Sequence, residues 1–290
     1  MKSSTTRIEG KNVTVGDWLV NRLIPADDLT RVGPFLLLDH IFPIEYVPST
    51  AFRSLPNQHP HRGLVAFTYV LKGEVEHFDS LGNHEIAGEG GAHWLSAGKG
   101  VIHDELVSAQ LMKSGGIVHA IQFWTNIPAV HKSDPPQYSW LTADAIPCVQ
   151  LPNQAGVMRV LLGEYGVMES PVEMLSRAFL YRITLNAKSE FRVSIMGEMK
   201  VAVFVPDNPI IVNGDRAAAS QLLIVEDNTG KITFRNPGIS SADAFILGGP
   251  EPTERIVVKG PFVTNSEKEI ADAYRDFFAG EYGTIPKLND

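Results

Sequence analysis

The 290-residue sequence contains one cysteine, Cys148. That excludes an internal disulfide framework and fits a reducing compartment. No apolar run approaches the ~20 residues needed to span a bilayer, and the opening "MKSSTTRIEGKN" lacks the apolar centre of a secretory signal. Basic residues are in deficit: 25 Lys and Arg against 33 Asp and Glu, a formal net charge of −8. This argues against charge-driven binding to nucleic acid or to an anionic membrane, while leaving room for a protein partner that itself binds DNA. The expected location is the cytoplasm, or the cytoplasm or nucleus in a eukaryote. Histidine is missing from an entire half of the chain. All nine lie between His40 and His131, so a histidine metal site in the first half has no counterpart in the second.

What is present is β-rich. Hydrophobic residues make up 44% and charged residues 20%, the balance of a globular chain with a real core. Segments such as "FTYVLKGEVEHF", "GIVHAIQFWTNI", "AFLYRITL" and "VAVFVPDNPIIVNG" are short, rich in β-branched and aromatic residues, and bounded by Gly, Asn or Asp. They predict all-β sandwiches or barrels and not alternating βα units. "AFTYVLKGEVEHFDSLGN" near Ala66 is echoed by "KVAVFVPDNPIIVNGDR" near Lys200, the signature of a duplicated β-domain. The expected division is an N-terminal metal-binding domain over residues 1–132, a linker over 133–156 and a second domain over 157–290. The linker is rich in Pro, Gln and Asn, but its Trp140 and Leu141 suggest packing. Near the C-terminus, Ser266 and Glu269 form a capping-box pattern. Ile270, Ala273, Tyr274, Phe277 and Phe278 then follow helical spacing, and Gly280 suits a left-handed stop.

The chemistry concentrates in two pairs. In "HPHRG", His59 and His61 stand at i and i+2, so on a strand both side chains leave one face. In "WLSAGKGVIHDELVS", His103 and Glu105 repeat that spacing after a Gly98–Gly100 turn. If both faces look into one barrel, three imidazoles and a carboxylate converge. Such a set suits one first-row transition metal, Fe(II), Mn(II), Ni(II) or Cu(II), with positions left open, whereas a closed structural zinc site more often recruits cysteine. The remaining histidines, His77, His84, His93, His119 and His131, are expected at the surface or in local hydrogen bonds. Phe67, Phe123 and Trp124 are candidates to line a pocket. Asp39 and Gln122, polar residues in apolar runs, are expected either to orient a ligand or to close a local hydrogen bond. Arg62 is expected to point away and form a structural salt bridge.

These blocks resemble the pirin family of the cupin superfamily. "HPHRG", "LKGEVEHFDSLGN" and "WLSAGKGVIHDE" carry the likeness, with "VGPFLLLDHIFP" before them and "KGPFVTNSEKEIADAYRDFFAGEYG" near the end. The resemblance implies an all-β bicupin, two jelly-roll-like barrels face to face with a C-terminal helix and a mononuclear metal in the N-terminal barrel only. It makes His59, His61, His103 and Glu105 the ligands and implies iron, Fe(II), with Mn, Ni, Cu or Zn as alternatives. Two departures stand out: "RGLVAF" has no carboxylate after H-x-H, and "GEGGAHW" has Gly91 where an acidic residue is usual. The implied activity is that of a flavonol (quercetin-like) 2,3-dioxygenase acting on a small aromatic or enolic substrate with O₂. Glu105 would then be both ligand and proton acceptor. The alternative is a non-enzymatic regulatory protein whose metal tunes binding to a transcription factor or metabolic enzyme.

Overall fold

The computed structural model describes residues 5–26, 29–49, 57–195, 198–226 and 230–286. The architecture is all-β with a C-terminal helix, as expected. No helix among the described residues is long and apolar enough to cross a membrane. Two compact units interleave along the chain. A histidine-rich unit comprises Thr14–Val20, Ile41–Ala145 and Thr253–Asp290; an apolar unit comprises Met1–Val13, Asn21–His40 and Ile146–Pro252.

The described strands form two seven-stranded and two four-stranded sheets, with matching strand order in the two sets. In the histidine-rich unit, Leu64–Lys72 is the third strand of the large sheet, between Ala92–Ser96 and Gly116–Asn126. The small sheet runs His59–His61, Val101–Val107, Val75–Asp79, His84–Ala87. In the apolar unit, Met199–Val205 takes the third place of the large sheet, and the small one runs Glu190–Ser194, Lys231–Arg235, Ile210–Val212, Asp215–Ala217. The echo in the sequence is therefore a duplication of topology. The strands corresponding to H-x-H and H-x-E bury Phe191, Val193, Ile232 and Phe234 in an aliphatic and aromatic core. Where one copy holds imidazoles, the other is packed with hydrocarbon.

The boundaries differ from those expected at 132 and 156. Thr5–Ile8 pairs with Gln221–Val225 and completes an edge of the apolar unit's sheet, so the N-terminus belongs with the later half. The supposed linker contains two strands: Gln137–Leu141 extends one large sheet beside Ala92–Ser96, and Cys148–Gln150 edges the other. Leu141 is buried, while Trp140 is 41% exposed. Thr253–Asp290 clusters with the histidine-rich unit because its backbone is stitched to the "HPHRG" segment. The Val263 N–H donates to the Arg62 carbonyl at 3.0 Å, and the Lys132 ammonium bridges the Gly63 and Val263 carbonyls at 3.3 and 3.2 Å.

The C-terminal helix spans Glu267–Phe278 and opens with the expected reciprocal capping box of Ser266 and Glu269. Gly280 follows it at φ 82°. Ile270 and Ala273 are buried, and Tyr274 and Phe277 pack beside them against Phe262, Tyr282 and Ile102. Phe278, by contrast, is 79% exposed, because it stands one residue beyond the face that Ile270, Ala273 and Phe277 share. Arg62 reaches the helix through Asp276 at 2.8 Å, the structural salt bridge expected of it.

Gly63 shows how closely these segments meet. Its φ is +74°, and a Cβ there would lie 1.9 Å from the Val263 carbonyl oxygen. Gly63→Ala is therefore expected to lower stability by about 1–3 kcal/mol. Urea denaturation of the metal-free protein measures this; an unchanged midpoint would mean that the contact yields freely.

Candidate metal centre

Register assembles the site. Val101–Val107 pairs antiparallel with His59–His61, setting His103 opposite His59 and Val101 opposite His61. Its other edge pairs with Val75–Asp79, setting His103 opposite Asp79 and Glu105 opposite His77. Strand alternation then turns His59, His61, His103, Glu105, His77 and Asp79 to one face.

His59 Nε2 lies 3.1 Å from both His61 Nε2 and His103 Nε2. The other ring nitrogens settle the tautomers of two of these rings. His59 Nδ1 meets the Asn57 carbonyl at 2.7 Å, and His61 Nδ1 meets the Pro261 carbonyl at 3.1 Å. A carbonyl only accepts, so each Nδ1 carries the proton and each Nε2 presents a lone pair. Two lone pairs 3.1 Å apart with no proton between them repel, and a shared cation removes the conflict. Protonation is a poor remedy here. Burial lowers the pKa of His59; burial, then the neighbouring His59, pushes His61 down to about 3; burial and the surrounding imidazoles lower His103 well below its usual value. The donor set therefore fits a metal.

Glu105 belongs to a second trio and not to the group of His59, His61 and His103. His77, His103 and Glu105 bring ligand atoms within 4.8 Å of one another, as do His59, His61 and His103, so His103 joins the two groups. Glu105 Oε2 accepts from Thr68 Oγ1 at 2.7 Å and from Gln122 Nε2 at 3.1 Å, and Oε1 faces His77 Nδ1 at 3.5 Å. Burial alone would raise the carboxyl's pKa, but His77, His93 and Thr68 outweigh it and bring it down to about 2. Behind it, His77 Nε2 sits 3.2 Å from Asp79 Oδ2. Burial opposes charge on His77, yet Asp79 and Glu105 prevail and its pKa is raised. The Tyr138 ring stacks on His77 at 4.3 Å. Its hydroxyl meets His93 Nδ1 at 2.8 Å, while His93 Nε2 donates to the Val75 carbonyl at 2.9 Å.

The other sequence expectations fare differently. His77, His93 and His119 are buried, His77 with the local bond to Asp79 that was one of its two expected settings; His84 and His131 are more open and pair with Glu76 and Asp134. His77 is a site residue that the two ligand pairs alone do not reveal, although "EHFD" repeats their i, i+2 spacing, here as H-x-D. Gln122 Nε2 donates to the Glu105 carboxylate at 3.1 Å, whereas Asp39 takes a bidentate pair from Arg22 at 2.8 and 2.6 Å. Phe67 and Phe123 stand opposite each other in register, both fully buried. They share one face of the sheet while Thr68, Gln122 and Trp124 share the other, so only Trp124 of the three candidate lining residues meets the cluster. Its ring packs edge-on against His61 at 4.9 Å.

The Pirin family pattern matches residues 18–125, and that of the Pirin C-terminal cupin domain matches residues 180–283. The chain belongs to the pirin family. A Pseudomonas aeruginosa relative, provisionally named a quercetin 2,3-dioxygenase, is 32% identical over 252 residues, 87% of either chain. A pirin-like protein of Arabidopsis thaliana is 30% identical over 89% of this chain and 83% of its own. Among solved structures, the quercetin 2,3-dioxygenase from Acinetobacter baumannii matches with a TM-score of 0.90 at 28% identity, covering 97% of this chain and 98% of that one. A bacterial pirin from Escherichia coli in complex with nickel(II) shares the fold at 19% identity and a TM-score of 0.64, over 86% and 100%.

In this pirin, Thr68 is the shortest hydrogen-bond donor to the buried carboxylate. Thr68→Val removes that donor at nearly constant shape and is expected to cost about 1–3 kcal/mol. Chemical denaturation of the metal-free protein provides the check, and no loss would show that Gln122 and His77 suffice.

Proposed function

We propose that this pirin holds one mononuclear first-row metal, Fe(II) foremost, through His59, His61, His103 and Glu105, and acts as a quercetin-type 2,3-dioxygenase. The observation that carries the metal assignment is the pair of Nε2 lone pairs held 3.1 Å apart by Nδ1–H bonds to backbone carbonyls. The quercetin reading is carried by the relatives: one close in sequence is named for it, and a solved structure that matches nearly the whole chain bears the same name.

When bound, such an ion supplies Lewis acidity toward a chelating enolic substrate and a centre for its reaction with O₂. The protein's own groups do the rest. His59 and His61 hold their protons on Nδ1, away from the reacting side. Trp124 presents its ring beside His61 and is only half-buried, so it offers an aromatic wall for a flat substrate. Glu105, as the one carboxylate among the four, accepts the proton of the substrate hydroxyl. Against its burial, His77, His93 and Thr68 hold its pKa low, so it is a weak base in that role. A Glu105→Gln protein that keeps both its metal and full turnover would exclude this second role.

The decisive experiment measures metal content together with O₂ uptake on quercetin, for wild type and His61→Ala. About one iron per chain, with uptake lost in the variant, is the expected result. Bound iron without uptake by the wild type would favour the regulatory reading or another enolic substrate. Absence of any transition metal after anaerobic reconstitution would overturn the assignment of the ligands.

A further inference from the structure

The large sheet carries a polar triad whose hydrogen bonds allow only one direction. Trp124 Nε1 has a proton and no lone pair, so it donates, and its acceptor is Gln122 Oε1 at 3.0 Å. That fixes the Gln122 amide: its NH₂ turns to the other side and donates to Glu105 Oε2 and to Thr68 Oγ1, each at 3.1 Å. Thr68, accepting from Gln122, then sends its own hydrogen to Glu105 Oε2 at 2.7 Å. Two donors converge on Oε2 and occupy its lone pairs. Oε1 is left toward His77, 3.5 Å from its Nδ1.

Resting on the metal reading above, we propose that Gln122, set by Trp124, is a positioning residue that locks Glu105 as a one-oxygen ligand through Oε1. The consequence concerns substrate class. Three imidazoles and one carboxylate oxygen would leave about two positions of a six-coordinate ion open, enough for a ligand that chelates through two neighbouring oxygens. A carboxylate free to turn and bind through both oxygens would close one of them. The triad thereby selects for a two-oxygen chelating substrate. It is well placed to do so, because Gln122 and Trp124 are half-buried on the face toward the histidines, while Ile121 and Phe123 of the same strand are fully buried on the opposite face. Trp124 also touches both arms of the site, His61 through its ring and Glu105 through Gln122.

The test compares wild type, Gln122→Leu, Trp124→Phe, Glu105→Gln and the double variant Glu105→Gln/Gln122→Leu. Fe(II) affinity is measured anaerobically against a chromogenic chelator, and the Cu(II)-loaded proteins are compared by electron paramagnetic resonance. Gln122→Leu is expected to weaken Fe(II) binding about tenfold or more and to shift the Cu(II) spectrum. Trp124→Phe, which keeps an aromatic ring at that position and loses the N–H, shifts both in the same direction. In the Glu105→Gln background, Gln122→Leu changes Fe(II) affinity by less than about twofold, because the group it positions is already gone. Equal losses in both backgrounds, or an unshifted Cu(II) spectrum in Gln122→Leu, would overturn the proposal, since a merely structural residue acts alike whether or not Glu105 is present. If Gln122→Leu fails to fold, Trp124→Phe in the two backgrounds decides the same question. Failure of the wild type itself to bind Fe(II) would instead count against the metal reading.

Discussion

The centre of this structure depends on where two protons sit. Because the Asn57 and Pro261 carbonyls take the Nδ1 protons of His59 and His61, both Nε2 atoms are bare and face each other at 3.1 Å. Neutral imidazoles so arranged repel, and burial makes charging them costly. Much of the surrounding architecture serves to maintain this arrangement. The strand Val101–Val107 holds His103 opposite His59. The C-terminal segment is drawn in by Lys132, Arg62 and the close approach at Gly63, and it delivers the Pro261 carbonyl from 200 residues away.

The two sets of sheets provide an internal control on what the fold requires. Both have the same order of seven and four strands. In one, the inner strands carry His59, His61, His103 and Glu105; in the other, the corresponding strands bury Phe191, Val193, Ile232 and Phe234. The second arrangement needs no hydrogen-bond partners and leaves no polar group to satisfy. The first needs a partner for every ring nitrogen and carboxylate oxygen, which explains the density of polar contacts around it. The barrel alone does not dictate a metal site; the inward-facing residue types do.

Around Glu105 the same economy applies to charge. A carboxylate excluded from water stays ionised only where donors replace the water, and Thr68, Gln122 and the His77–Asp79 pair do so from two different sheets. The donors differ in kind. Thr68 and Gln122 act on one oxygen, and His77 approaches the other at a distance too long for a good hydrogen bond. The carboxylate is thus saturated on one side and available on the other, an asymmetry that neither sheet could impose alone.

Local rules made much of this protein legible in its sequence. Period-two alternation placed His59 with His61 and His103 with Glu105, since strand geometry alone puts i and i+2 on one face. The distribution of histidine separated the two halves, and the Ser266–Glu269 capping box marked a helix start that depends on four consecutive residues. Tertiary structure decided what local rules do not encode. Which face of each strand turns inward follows from register with strands far away, so Phe67 and Phe123 went to the side opposite Trp124, and His77, locally bonded to Asp79, is also buried beside Glu105. The exchange of terminal segments between the units and the carbonyl of Pro261 on His61 were likewise invisible, because a backbone acceptor has no sequence signature and pairing across 200 residues leaves none. The sequence by itself determined which side chains could share a face. Only the folded chain decided which faces meet, and therefore where each proton lies.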